Sequence, residues 1–303
     1  MQPEQTESLP LVVCALIVSH NCAGALRRTV AALEASHGRE QMEILVVDNG
    51  STDGSQRLDA DFPNINMLRL PHFCGLTKAR NIGIRTAKAE FLLMLEAGVE
   101  VEPSTALKLA ERLAAQPEAL AICPTLVDAS GVTVSKMFRL PDSAQVSTHW
   151  QSPASLPAVT DPAQMELHDG HVLFIRKQSI KGMNFLDEKF GEHWGDVELA
   201  YKIKRAGKRI VMSPDIAARS AAAGDLWKPS TPGERAAFAA DAANGAAVYL
   251  GKHYGFGASF GFRFGQVMGA LGRTLTFQDF GYHSGLLTRL ISGYKIDGSS
   301  QQL

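Results

Sequence analysis

Three stretches of the 303-residue chain carry side chains that could do chemistry. In EILVVDNGSTDGS, residues 43–55, an apolar run stops at Asp48 and gives way to small polar residues. A carboxylate at the carboxyl end of a buried strand can accept hydrogen bonds from a base or ribose, with backbone N–H groups nearby for phosphate. The same Asp48 could instead open an Asx-turn. In GLTKARNIGI, residues 75–84, Arg80 offers bidentate, charge-assisted hydrogen bonds to a diphosphate, or is a surface arginine on a helix shared with Lys78 and Arg85. In GEHWGDVELAYKIKRAG, residues 191–207, the apolar spacing predicts a helix stopped by Gly207, with Asp196 in its first turn. The helix dipole favours an anion there, and an ionised carboxylate facing a cleft can take a proton from an attacking hydroxyl. A plain N-cap is the alternative role. His193 and Trp194, just before it, are candidates to line an acceptor pocket.

These residues need strands to hold them. Leu11 to Val18 and Ile44 to Val47 are continuous apolar runs of the kind found in parallel strands covered on both faces. A helix with Leu26, Val30 and Leu33 on one face separates them, making a βαβ unit. The rhythm repeats through a strand at 65–70, a helix at about 76–87 and a strand at 90–95, which predicts an α/β fold with a mostly parallel, doubly covered sheet. No G-x-G-x-x-G follows the first strand and no G-x-x-x-x-G-K-[ST] occurs, so a nucleotide must be held by other means.

Thirty Lys and Arg against 31 Asp and Glu leave a net charge of −1, with no general attraction to nucleic acid. The four cysteines show no paired or metal-ligand spacing and read as buried thiols. The first ten residues are polar and acidic without a basic leader, and the first apolar run is too short to span a bilayer. A cytoplasmic location is expected.

In order, LIVSHN, VVDNGSTDGS, GLTKARNIGI, LEAGVEVEP and FLDEKFGEHWGDVELAYKIKRAG resemble the landmarks of family 2 glycosyltransferases of GT-A fold, and bacterial rhamnosyltransferase-like members in particular. The resemblance spans roughly residues 11–215. It implies a nucleotide-sugar half at about 11–103 and an acceptor half at about 104–215. It also implies an inverting transfer from a nucleotide-diphosphate sugar to a glycan or lipid-linked acceptor, in cell-surface polysaccharide synthesis. Carried over by position, His20, Asn21, Asp48, Lys78, Arg80 and Asn81 belong to the donor site and Asp196 is the base. A divalent Mg²⁺ or Mn²⁺ would be held on the diphosphate, with Glu96 as its ligand. Here the chain departs from its relatives: the metal triplet reads Glu96-Ala97-Gly98, the acidic pair before the last helix reads Gly195-Asp196, and PDIAARSAAAGD lacks the expected histidine. Metal dependence is therefore an open expectation, and a catalytically degenerate binding or assembly partner is the alternative function. A nucleotidyltransferase is disfavoured because SHNCAG is not a basic Gly-rich phosphate loop.

Two further segments stand out. Residues 140–164, rich in Pro, Ser and Ala, read as an irregular acceptor-side lid in which Trp150 stacks on a sugar or anchors the loop. Residues 216–303 read as a helical C-terminal extension after a flexible tail, 1–10, and the 11–215 domain. In it Gly257, Gly261, Gly265 and Gly269 recur every fourth residue among phenylalanines. That stripe predicts contact with a membrane surface through 255–293, at the inner face and with Arg263, Arg273, Arg289 and Lys295 toward headgroups, or packing on the core or on a homodimer partner.

Overall fold

The computed structural model describes residues 12–220, 226–277 and 279–298. The expected tail at 1–10, the first residue of the expected first strand, Leu11, and residues 221–225 of the stretch lacking a histidine lie outside the described residues. In chain order the strands are β1 (Val13–Ser19), β2 (Met42–Asp48), β3 (Asn66–Arg69), β4 (Phe91–Glu96), β5 (Val99–Val101), β6 (Ala119–Val127), β7 (Met137–Phe138), β8 (Ala158–Val159), β9 (Leu167–His168), β10 (Val172–Arg176) and β11 (Arg209–Ser220). The helices are α1 (Ala23–Glu34), α2 (Leu76–Thr86), α3 (Thr105–Ala114), α4 (Ser143–Thr148), α5 (Lys177–Gly182), α6 (Gly195–Arg205), α7 (Pro232–His253), α8 (Phe256–Leu275) and α9 (Phe280–Ser292).

The main sheet runs β3-β2-β1-β4-β10-β6-β11-β5. β3, β2, β1 and β4 are mutually parallel, as are β6 and β11, whereas β10 is antiparallel to both its neighbours and β5 to β11. The two faces of β1 explain the unbroken apolar run. Cys14 and Leu16 pack into the layer shared with α2, α6 and α7, while Val13, Ala15 and Ile17 pack into the layer shared with α1 and α3. With period-2 side chains, a strand buried on both sides has no polar face to show. Contact is closest at Gly83 of α2, where a Cβ would lie 2.3 Å from Leu16 Cδ1.

The segment expected as a lid is ordered. It contains α4, whose Asp142 closes a capping box with Gln145, and β8, which joins β7 and β9 in a small antiparallel sheet. Trp150 anchors this segment: its carbonyl accepts the Trp194 indole N–H at 2.9 Å and its ring meets Phe262 edge-on at 6.4 Å.

α7, α8 and α9 pack on one another, and α7 seats the group on the domain. Thr231 and Glu234 form the capping box that starts α7. Its far end is fixed to α6 through buried Glu198, which pairs with Lys252 and with His253 Nε2 at 2.8 Å. No helix among the described residues is long and apolar enough to cross a membrane.

Candidate active site

A cavity of about 270 Å³ opens beyond the carboxyl ends of β1, β2 and β4. This is where the crossover topology of an open α/β sheet leaves a crevice for ligands. His20 forms part of its wall, with Phe73 at 4.5 Å and Trp227 at 4.8 Å between ring centroids, and Phe238 stacks on Phe73 at 5.7 Å. Phe73, Trp227 and Phe238 are not anticipated by sequence reasoning. Their one legible signal is a lone Trp in the small-residue loop before α7.

His20 and Asn21 organise the loop after β2. The Asn49 carbonyl can only accept, so His20 Nδ1 donates to it at 2.9 Å and Nε2 is left to accept from Asn21 Nδ2 at 3.2 Å. Burial lowers the His20 pKa and keeps the ring neutral. Asn21, in the left-handed region at φ 46°, takes the Thr52 N–H on Oδ1 at 2.7 Å and donates its own N–H to Ser51 Oγ at 3.0 Å. Asp48 sits behind this loop, 2% exposed. Its Oδ2 accepts from the Ser51 N–H at 3.4 Å, closing an Asx-turn, while Oδ1 is buried without a partner among the described residues.

The floor of the cavity is an ion pair. Arg80 Nη1 donates to Asp196 Oδ1 at 2.6 Å and Nη2 to the Gly170 carbonyl at 3.3 Å. Burial alone would raise the Asp196 pKa, but the charge and hydrogen bond of Arg80 outweigh it and hold the carboxyl below its usual range. Gly170, at φ +89°, keeps the other oxygen open: a Cβ there would stand 3.1 Å from Asp196 Oδ2. Beyond the pair lies a second lobe of about 160 Å³, and Arg80, Asp196, Asp169 and Glu192 line both. His168 lines that lobe, with Nδ1 accepting the Gly170 N–H at 2.9 Å, which puts its proton on Nε2, a buried atom without a partner among the described residues. Glu192 is a further residue the sequence does not single out; burial pushes its pKa up to about 6, and its Oε2 accepts the Leu76 N–H at 2.8 Å at the start of α2.

Glu96 reaches the same cavity but is already engaged. It hydrogen-bonds His171 Nδ1, and that bond raises the His171 pKa against the opposing effect of burial. Gly98, at φ +97°, contributes only a backbone N–H, donated to Thr29 Oγ1 at 2.8 Å. No three His, Cys, Asp or Glu converge as a metal group among the described residues. A divalent cation that keeps most of its waters and shares the diphosphate oxygens needs only one or two protein carboxylates, and Glu96 would serve as one on releasing His171.

The other expected residues are distributed as follows. Lys78 lies outside both cavities and donates to the Asp297 carbonyl at 2.8 Å. Asn81 is fully buried and clamps residues 186–188, with Nδ2 donating to the Leu186 carbonyl at 2.9 Å and to Glu188 Oε1 at 2.8 Å and Oδ1 accepting the Leu186 N–H. His193 donates from Nδ1 to buried Asp241 at 3.1 Å and lines the second lobe. Trp194 also lines it, with its indole buried against Tyr249 at 5.7 Å and its backbone left-handed at φ 70°. Gly195 is small by necessity, since a Cβ there would approach Thr77 Oγ1 to 2.6 Å. The four free cysteines are all buried, as expected, and burial raises their pKa values, to about 11 at Cys74.

Comparison with known proteins places this geometry. A Drosophila melanogaster protein described as N-acetylgalactosaminyltransferase 6 is 26% identical over 228 residues, 70% of this chain and 34% of its own length. A crystal structure of GalNAc-T7 with UDP, GalNAc and Mn²⁺ matches with a TM-score of 0.58 at 19% identity, covering 76% of this chain and 47% of that one. This chain thus spans about a third of the first relative and about half of the second. A mannosyltransferase from Pyrobaculum calidifontis in complex with GDP-Man and Mn²⁺ matches at TM-score 0.51 and 15% identity, covering 94% and 86%. TarS 1-349 from S. aureus in complex with UDP-GlcNAc matches at 0.52 and 16%, covering 93% and 91%. The fold is therefore the GT-A fold of these glycosyltransferases. The family model for glycosyl transferase family 2 matches residues 14–179, more than half of the chain, and the chain belongs to that family.

Proposed function

We propose that the chain is an inverting glycosyltransferase that moves a sugar from a nucleotide-diphosphate donor to a hydroxyl of a glycan or lipid-linked acceptor. The observation that carries this reading is the position of Asp196 at the seam between two cavities, with one oxygen fixed by Arg80 and the other open. The nucleotide would occupy the larger cavity with its base against His20, and would meet the Asp48 oxygen, which lines neither cavity, on displacing the loop in front of it. A buried acceptor without a donor costs roughly 1–3 kcal/mol, so a ligand N–H there would gain what the empty state lacks. The acceptor would enter the second lobe, past His193 and Trp194. Asp196 would take the proton of the attacking hydroxyl as it closes on the anomeric carbon, a role worth on the order of 10² to 10⁴ in rate. One displacement without a covalent sugar intermediate inverts the anomeric centre.

Charge developing on the leaving diphosphate needs a neutralising partner. His171, whose pKa Glu96 raises, and the unspent N–H groups of Arg80 supply it within the cavity. A divalent cation on the diphosphate would be held by Glu96 and would add to that neutralisation. The glycosyltransferase part would end at about residue 215, and the helices beyond it would form the C-terminal part. Cell-surface polysaccharide synthesis is the setting we propose, on the resemblance alone.

A second reading, a family member that binds nucleotide without turnover, is favoured by Gly98 and by Gly195, where the close approach of Thr77 leaves no space for a second carboxylate. Calorimetric binding of UDP, GDP and dTDP, with and without Mn²⁺ and repeated with Asp48→Ala, followed by product analysis with the nucleotide sugar that binds, separates the two. Binding that needs Asp48 together with transfer supports the enzyme. Binding without transfer to any acceptor supports the second reading, and no binding at all removes both.

A further inference from the structure

We infer that α8 carries the interface through which two copies of this chain associate. The exposed side of α8 is almost wholly apolar. Phe256 is 81% exposed and Phe260 and Phe264 are 59% each, and their rings stack along the helix at centroid distances of 5.9 and 6.4 Å. Met268 and Leu275 continue the ridge, and α8 contains no acidic residue. Beside it runs the stripe of Gly257, Gly261, Gly265 and Gly269. A Cβ added at any of these would meet nothing within 4 Å among the described residues, so no part of the fold requires glycine there.

Glycine is the least favourable residue in a helix interior after proline, and four in register on an open face weaken α8 with no gain inside the protein. Close approach of another backbone is the use for which only glycine serves. A lipid surface makes no such demand; alanine or leucine in those places would insert at least as well. The choice between a bilayer and a packed helix therefore falls to the helix. The occupant is a second copy, because ridge and groove lie side by side on one helix: the phenylalanines of each copy fit the glycine groove of the other. Two i±4 ridges interdigitating cross at about −50°, near the angle of close small-residue helix pairs. Such an interface is isologous and closes at two subunits.

Size agrees with this. The exposed parts of the three phenylalanines amount to on the order of 400 Å². Helices crossing at that angle cover only the central turns of the face, which puts the contact at the small end of specific interfaces and suits a weak, concentration-dependent dimer. Of the four basic residues expected toward headgroups, Arg273 is exposed on α8 and the other three are turned to the protein. Arg263 donates to Asn244 Oδ1 at 2.9 Å, Arg289 to the Gly285 carbonyl at 3.2 Å, and Lys295 to the Glu188 carbonyl at 2.8 Å. These three are committed within the chain.

The test is sedimentation velocity on the full chain across about 1 to 100 μM, a range that brackets a micromolar dissociation constant. The expected result is a concentration-dependent dimer that the double variant Gly261→Leu, Gly265→Leu weakens at least tenfold. Leucine is the better helix former, so an unchanged or raised melting temperature would show that the fold survives. Should the double variant fail to fold, Gly265→Cys replaces it, and a short bismaleimide should cross-link two chains through that position. A chain that stays monomeric, a dimer indifferent to the leucines, or a folded Gly265→Cys variant that does not cross-link would each overturn the proposal. A monomer that floats with phosphatidylethanolamine–phosphatidylglycerol vesicles, and loses this with Phe260→Ser, would assign the face to lipid instead.

Discussion

Arg80 and Asp196, 116 positions apart, meet at 2.6 Å where the two cavities join. The contact does two things at once. It fixes the carboxylate so that Oδ2 faces the space in front of Gly170, and it keeps Asp196 ionised despite burial. Asp196→Asn preserves shape and an acceptor for Arg80 but removes the base. Nucleotide binding by calorimetry should then stay within about twofold while transfer falls on the order of 10²- to 10⁴-fold. Arg80→Ala should weaken both, since it strands a carboxylate inside the protein, and should lower stability by about 3 kcal/mol or more. Equal loss of binding in both variants would contradict the division of roles.

His171 sets a pH signature on diphosphate binding. Glu96 raises its pKa, so the imidazolium persists above the usual histidine range and is lost as pH rises through the folded value. Nucleoside diphosphate affinity should decline as pH rises through that folded value. His171→Asn should remove that decline, and EDTA should leave the wild-type profile in place. A strict requirement for Mn²⁺ at every pH would overturn the assignment of His171 as the neutralising charge.

Gly195 tests whether the missing acidic pair is a packing consequence. Gly195→Ala puts a Cβ 2.6 Å from the β-branched, buried Thr77, which has little rotamer freedom to retreat. Overpacking of this kind costs typically 1–3 kcal/mol. Thr77→Ala should be less costly in the Gly195→Ala background than in the wild type, and urea unfolding of the four proteins measures that coupling. Strictly additive effects would mean that the helices do not meet here.

Much of this was legible before the fold. β1, β2 and β4 are buried on both faces, so their sequences are unbroken apolar runs, and Asp48 and Glu96 are marked as the residues that end them. The helix carrying Asp196 announces itself by period and by Gly207. What spacing could not reveal is which side of a helix faces the site. Lys78 and Arg80 are two positions apart on α2, hence on different faces, and only Arg80 reaches the cavities. The two-residue strand β8 is too short to show any period, so residues 140–164 around it read as an irregular lid. The glycine stripe was plain as a pattern, but a pattern does not tell whether its face is covered. The Glu96–His171 and Asp241–Ile296 contacts join residues 75 and 55 apart, which no local rule connects.

Asp241 offers the sharpest test of how the C-terminal helices support the site. Its carboxylate, inside α7, accepts the backbone N–H groups of Glu192 at 2.9 Å, His193 at 3.1 Å and Ile296 at 2.9 Å, besides His193 Nδ1. One buried carboxylate thus ties the loop that leads into Asp196 to the chain after α9. Gly191 makes room for it, since a Cβ there would fall 2.0 Å from Asp241 Oδ1. Asp241→Ala leaves three backbone donors without their acceptor, at roughly 1–3 kcal/mol each, so a loss of at least about 3 kcal/mol is expected. The pH dependence identifies the cause. Burial would lower the His193 pKa, but the bond and charge of Asp241 raise it overall. A histidine with a raised folded pKa contributes stability that is full below about pH 6.5 and disappears as pH climbs through the folded value. Urea unfolding should therefore show wild-type stability declining from neutral to mildly alkaline pH, with much of that slope gone in Asp241→Asn. His171, its pKa also raised, adds to the same slope, so the comparison is made in a His171→Asn background. An Asp241→Asn protein with the full wild-type slope would mean that His193 draws no stability from α7, and that the loop before Asp196 is held by its own contacts alone.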